Sequence, residues 1–183
     1  MRKMIVLILF GSLLFSCVQP EPRKPVQVKS GSFYRASVER NKQILAQEEA
    51  LIRKLVESDS LNTYRASDTG FWYYYEKQND TQGYQLQTDD EVLLAYTVMN
   101  LKGDTIYRQE DIGIVQHAID KSQLFPGLRN AIKLLKEGEK ATFLFPSSQA
   151  YGFKGDDNKI GPLIPIKASL QLIEILKKRD SLN

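Results

Sequence analysis

The sequence predicts an α+β fold: a curved antiparallel sheet wrapped on one short helix and preceded by an N-terminal amphipathic helix. Three observations predict it. Residues 33–61 carry apolar side chains at helical spacing and contain neither Pro nor Gly. After Ser67-Asp68-Thr69-Gly70 the texture changes to short β-rich runs broken by turn residues. In that second half the only helical pattern is Leu128, Ala131, Ile132 and Leu135, inserted among the strands.

In chain order, the first segment has the three-part layout of a secretory signal. Arg2 and Lys3 supply a basic start, Met4 to Phe15 an apolar run too short to span a bilayer comfortably, and Ser16 a small residue before Cys17. Leu14-Phe15-Ser16-Cys17 resembles a bacterial lipobox, which implies lipidation of Cys17 and a membrane lipid anchor facing the periplasm. As the only cysteine, Cys17 can make no internal disulfide, and a lipid-carrying role accounts for it. The expected boundaries are a lipoprotein signal peptide over 1–16, a Pro-rich flexible tether over 17–32, a helical segment over 33–67 and a compact domain over 68–183.

In the helical segment Val38, Ile44, Leu45, Leu51, Ile52, Leu55 and Val56 occupy one arc of roughly 140°. Glu48 intrudes on that stripe. Three readings are open: a helix packed on its own domain, a helix that makes a homodimer, or a helix that binds another partner.

In the compact domain Gly70 to Glu76 is aromatic and strand-like, and Asp80-Thr81-Gln82-Gly83 is a turn. Glu91 to Asn100 is a strand with Val92, Leu94, Tyr96 and Val98 on one face at period two. Lys102-Gly103-Asp104 then turns the chain into Thr105-Ile106-Tyr107. Pro126 leads in the helix and Gly138 closes it, and Lys140 to Phe145 and Ala168 to Leu176 read as two further strands.

With 183 residues and 42% apolar content the chain has room for one ordinary globular domain and modest appendages. Removing Arg2 and Lys3 takes the net charge from +3 to about +1, so no basic field suited to nucleic acid survives. The basic run Lys177, Lys178, Arg179 reads as a solvated chain end. One His and one Cys exclude the common metal clusters and the His-dependent nucleophile sets, so neither metal nor cofactor is expected. His117 reads as an ordinary strand or loop residue.

From about Thr69 to Lys177 the order of elements carries a familiar set of landmarks. Phe125-Pro126-Gly127-Leu128 opens the helix and Lys136-Glu137-Gly138-Glu139-Lys140-Ala141 follows it; Ala150-Tyr151-Gly152 comes next, and Ile164-Pro165 precedes the last strand. As an ordered set these resemble the FKBP-type peptidyl-prolyl cis/trans isomerases. The organisation of lipobox, helical segment and single domain resembles the gliding-motility-associated isomerase lipoproteins of Bacteroidetes.

The resemblance implies a shallow apolar cleft between helix and sheet that takes a proline ring and the residue before it. Tyr96 and Tyr107 would line one wall, and Ile114, Leu124 and Phe125 would add apolar contacts. Leu128 would form the floor and Leu172 a last apolar surface. Tyr151 would offer its hydroxyl, and Ile164 its backbone N–H to a substrate carbonyl. Substrates would be proline-containing exported polypeptides. Where the family usually has a buried Asp after the hairpin aromatic, this chain has Arg108, and Leu128 stands where a Trp is often found. A non-catalytic chaperone or binding module and a scaffolding lipoprotein are the alternatives to an active enzyme.

Overall fold

The computed structural model describes residues 30–80, 82–121 and 124–177. The signal segment, Cys17 and most of the tether lie outside the described residues, as do Lys178 and Arg179. The chain divides into two compact units, residues 1–37 and Val38 onward. In the first, the described residues are the opening turns of helix α1, Ser30–Ser58, which starts three residues earlier than its periodicity predicts.

The second unit holds the rest of α1 and the sheet. Its strands are β1 (Arg65–Ala66), β2 (Trp72–Lys77), β3 (Glu91–Asn100), β4 (Thr105–Tyr107), β5 (Val115–Ala118), β6 (Lys140–Phe145) and β7 (Ile166–Lys177). Among the described residues they form one antiparallel sheet in the order β1-β2-β6-β7-β3-β4, with β5 also paired to β3. Two helices interrupt the strands: α2 (Gln109–Ile112) and α3 (Pro126–Ile132), with a 3-10 turn at Ser147–Gln149.

Strand β3 pairs with β4, β5 and β7 and turns one face, at period two, into the core. Val92, Leu94 and Val98 are fully buried, and Tyr96 on the same face is half-buried. They meet Phe143 and Phe145 of β6, Leu170 and Leu172 of β7 and the buried face of α3, Leu128, Ala131 and Ile132, in one core. Phe125 enters that core edge-on to Phe145, with ring centroids 5.4 Å apart. Gly127 lets the helix start sit this close, since a Cβ there would lie 2.5 Å from the Phe145 ring and 2.6 Å from the Gln149 carbonyl oxygen.

The turn before β6 is held by one buried carboxylate. Glu139 accepts hydrogen bonds from the backbone N–H groups of Asn79 (2.9 Å) and Lys136 (2.8 Å). Gly138, at φ 79°, supplies the left-handed residue this turn requires, and its N–H donates to the Leu172 carbonyl at 2.8 Å.

The expectation that Leu128 to Leu135 is the only helical pattern in this half is corrected. Helix α2 is four residues long and the turn at Ser147 three, too short to show any apolar period. Both are fixed by local backbone bonds, such as Ile112 N–H to Arg108 carbonyl (3.1 Å) and Gln149 N–H to Pro146 carbonyl (2.9 Å).

From Val38 onward α1 packs on its own sheet end. Ile52 is 1% exposed, and Glu48 accepts a hydrogen bond from the Ser147 backbone N–H at 2.7 Å. Leu51 stays 47% exposed.

Candidate active site

The start of α3 and the strands it packs against converge on one apolar floor. Leu128 and Leu172 are fully buried in the core, Phe125 nearly so, and Tyr96, Tyr107, Leu124 and Tyr151 pack on the same cluster half-buried. Tyr151 tilts over Phe125 with ring centroids 5.0 Å apart. Its phenol pKa is pushed well above the ordinary value, first by burial and then by the nearby Tyr96, Asp156 and Tyr107 groups. Burial alone raises that of Tyr96. Both phenols therefore stay protonated donors at any physiological pH. Among the described residues neither hydroxyl has a hydrogen-bond partner.

Tyr151 and Ile164 are brought to the same place by a loop that folds back on itself. The Leu163 N–H donates to the Gly152 carbonyl at 2.8 Å, clamping the residue after Tyr151 to the one before Ile164. Ile164 is 41% exposed, and among the described residues nothing accepts from its N–H. Inside the loop Asp156 is the hub. It accepts from the N–H groups of Asn158 (2.9 Å) and Ile160 (2.8 Å), and Gly155 at φ 77° passes so near the Ile160 carbonyl that a Cβ would lie 2.4 Å from it.

The phenol of Tyr107 donates to Asp156 and accepts from the Lys159 N–H at 3.2 Å, while the Lys159 ammonium sits 4.9 Å from its ring centroid. Burial opposes ionisation of Asp156, but the hydrogen bonds from Tyr107, Ile160 and Asn158 outweigh it and hold the carboxyl below its usual range. The Tyr107 phenol is raised by burial and by that carboxylate.

An apolar floor, two phenols and an unengaged N–H lie where helix, sheet and loop meet. Residues 83–173 match the model of the FKBP-type peptidyl-prolyl cis-trans isomerase family. This segment is an FKBP domain.

A probable FKBP-type peptidyl-prolyl cis-trans isomerase, FkpA, of Neisseria meningitidis serogroup B is 30% identical over 149 residues, 81% of this chain and 52% of that protein. The chain thus spans about half the length of this curated relative. The crystal structure of FkpA from Escherichia coli superposes with a TM-score of 0.58 at 18% identity, over 94% of this chain and 81% of that one. A peptidyl-prolyl isomerase from Pseudomonas syringae gives 0.57 at 18% identity, over 73% of this chain and 94% of that one. These two likenesses show the fold.

Within the FKBP domain the remaining site residues fall out as follows. Ile114 is 63% exposed between α2 and β5 and does not join the cluster that holds Leu124, Phe125, Leu128 and Leu172. Ile106, not singled out by sequence, packs on that cluster beside Tyr107. Arg108 is exposed, so its charge is directed to water, and the acceptor of this corner is Asp156 instead. His117 lies on β5, 2% exposed, paired in register with Val92. Burial first and Arg129 second lower its pKa, which leaves it neutral at pH 7. Asp156 went unrecognised as a site residue because its partner Tyr107 is 49 positions away; the Gly155-Asp156-Asp157-Asn158 turn chemistry was the only local signal.

Proposed function

We propose that the protein is a peptidyl-prolyl cis/trans isomerase acting on X-Pro bonds of exported polypeptides. The observation that carries this reading is the pair of half-buried phenols, Tyr96 and Tyr151, unpartnered among the described residues above the Phe125, Leu128 and Leu172 floor. Rotation about an X-Pro bond breaks no covalent bond; its obstacle is amide resonance, a barrier of roughly 18–20 kcal/mol. That resonance is charge-separated, so an apolar floor disfavours the planar amide relative to the twisted one. The Tyr151 hydroxyl and the Ile164 N–H hold the carbonyls on either side, and every ~1.4 kcal/mol of differential stabilisation is a tenfold rate.

The test is catalysed relaxation of a proline peptide by the folded protein. Tyr151→Phe removes one hydrogen bond between neutral groups, about 0.5–1.5 kcal/mol, and is expected to slow the reaction a few-fold up to about tenfold. His117→Ala leaves the rate unchanged. Absence of acceleration by folded wild type would overturn the enzyme reading in favour of a chaperone or binding module.

The proposed setting is the cell envelope, with a lipidated Cys17 as a periplasm-facing anchor and a role in gliding motility or envelope protein folding. The support is the signal layout ahead of Ser16-Cys17 and the resemblance of the whole organisation to the gliding-associated lipoproteins. Cells fed a radioactive fatty acid should label the wild type and not Cys17→Ala, and a labelled, membrane-bound Cys17→Ala refutes the anchor.

A further inference from the structure

Glu48 breaks the apolar stripe of α1, yet it is one of the most buried residues of that helix, 8% exposed. Its Oε2 accepts the backbone N–H of Ser147 at 2.7 Å, and its Oε1 has no hydrogen-bond partner among the described residues. A carboxylate buried with one oxygen unmatched is a poor stabilising device, because an apolar side chain of similar size would avoid its desolvation. What the contact supplies is geometry.

Ser147 is where that geometry is passed on. Its carbonyl accepts from the N–H groups of Ala150 (3.0 Å) and Gly152 (2.8 Å), the two residues that flank Tyr151. The Gly152 carbonyl in turn accepts from the Leu163 N–H at 2.8 Å, immediately before Ile164. One hydrogen-bonded chain therefore runs from Glu48 through Ser147 and Gly152 to the backbone around both polar groups of the cleft. Leu45, one turn before Glu48, lines a shallow groove with Gly152, Phe153 and Leu163, so the same helix also faces the loop at a second point.

We propose that Glu48, on a helix outside the family-matched segment, is a positioning residue for the isomerase: through Ser147 it fixes the turn that presents Tyr151. The proposal rests on the isomerase reading of the cleft. It makes α1 from Val38 onward a part of the active-site support, so that whatever binds or strains this helix acts on the rate.

The test uses the full chain with Glu48→Leu, Glu48→Gln and each combined with Tyr151→Phe. Glu48→Leu is expected to lower kcat/KM for a proline peptide by about three- to tenfold, mostly in kcat, while Glu48→Gln, which keeps an acceptor, restores most of the rate. If Glu48 acts through Tyr151, Glu48→Leu adds less than about twofold in the Tyr151→Phe background, whereas a merely structural residue gives the same factor in both. Independently of activity, amide exchange at Ala150 and Gly152 should quicken by about tenfold in Glu48→Leu, with β3 and β7 amides unchanged.

A wild-type rate in folded Glu48→Leu, or equal factors in the two backgrounds, overturns the proposal. Should Glu48→Leu fail to fold, Glu48→Asp withdraws the carboxylate by one methylene and is expected to lose rate likewise; a wild-type rate there is equally fatal. If the wild type shows no isomerisation, the isomerase reading falls and exchange decides alone: unchanged protection at Ala150 and Gly152 removes Glu48 from any positioning role.

Discussion

Leu128→Ala is expected to lose about 2–5 kcal/mol of stability, the range for emptying a well-packed core site of a leucine side chain. Leu128 is fully buried at the start of α3, where Phe125 and Gly127 press that helix onto Phe145. The site has little freedom to collapse, because a Cβ at the neighbouring Gly127 would already overlap the Phe145 ring. A lower urea midpoint with unchanged m is the expected signature. The folded fraction should isomerise a proline peptide less than tenfold more slowly, since Phe125 and Leu172 still provide the apolar floor. An unmoved midpoint together with a collapsed rate would show that Leu128 serves the cleft and not the core.

Most strands and the start of α3 were legible because their signals are local; Arg65–Ala66, placed in the helical segment 33–67, instead form β1, and α3 ends at Ile132, before the Leu135 of its apolar pattern. The period-two run of Glu91–Asn100, the Gly103 turn and the run Lys140–Phe145 each predict their element to the residue. Strand β5 was not, since Val115–Ala118 is four residues with a buried His117, whose burial depends on its pairing with β3. The apolar floor was expected only from the family resemblance, which the adjacent residues Phe125 to Leu128 help to carry. The Tyr151 hydroxyl and the Ile164 N–H came from the same resemblance, but the ties that hold them depend on contacts across the chain. Asp156 meets Tyr107 49 positions away and Glu48 meets Ser147 99 positions away, separations at which composition and spacing carry no information. Ile114, given an apolar contact role by the same resemblance, is 63% exposed just after α2 and lies outside the buried cluster.

Tyr107 and Asp156 yield the prediction that separates a wall residue from a loop tie. Asp156→Ala removes the acceptor of three hydrogen bonds at once, from Tyr107 and from the N–H groups of Asn158 and Ile160. Bonds to a charged group contribute about 1.5–3 kcal/mol each when buried and less in a loop this open. A total loss of about 1.4–2.7 kcal/mol in the ordering of the loop corresponds to about ten- to hundredfold in kcat/KM. Tyr107→Phe keeps the ring, the Lys159 contact and the apolar packing, and removes one of the three bonds, so a fall of only a few-fold is expected. Because the Asp156 pKa is depressed in the folded protein, its contribution is fully present above the unfolded carboxyl value of about 3.9 and is lost as pH falls through the lower folded value. The rate deficit of Asp156→Ala should therefore be constant across neutral pH. A Tyr107→Phe variant slower than Asp156→Ala would mean that the Tyr107 hydroxyl touches the substrate directly; the reverse order makes Tyr107 the tie that holds the loop carrying Tyr151 and Ile164 over the cleft.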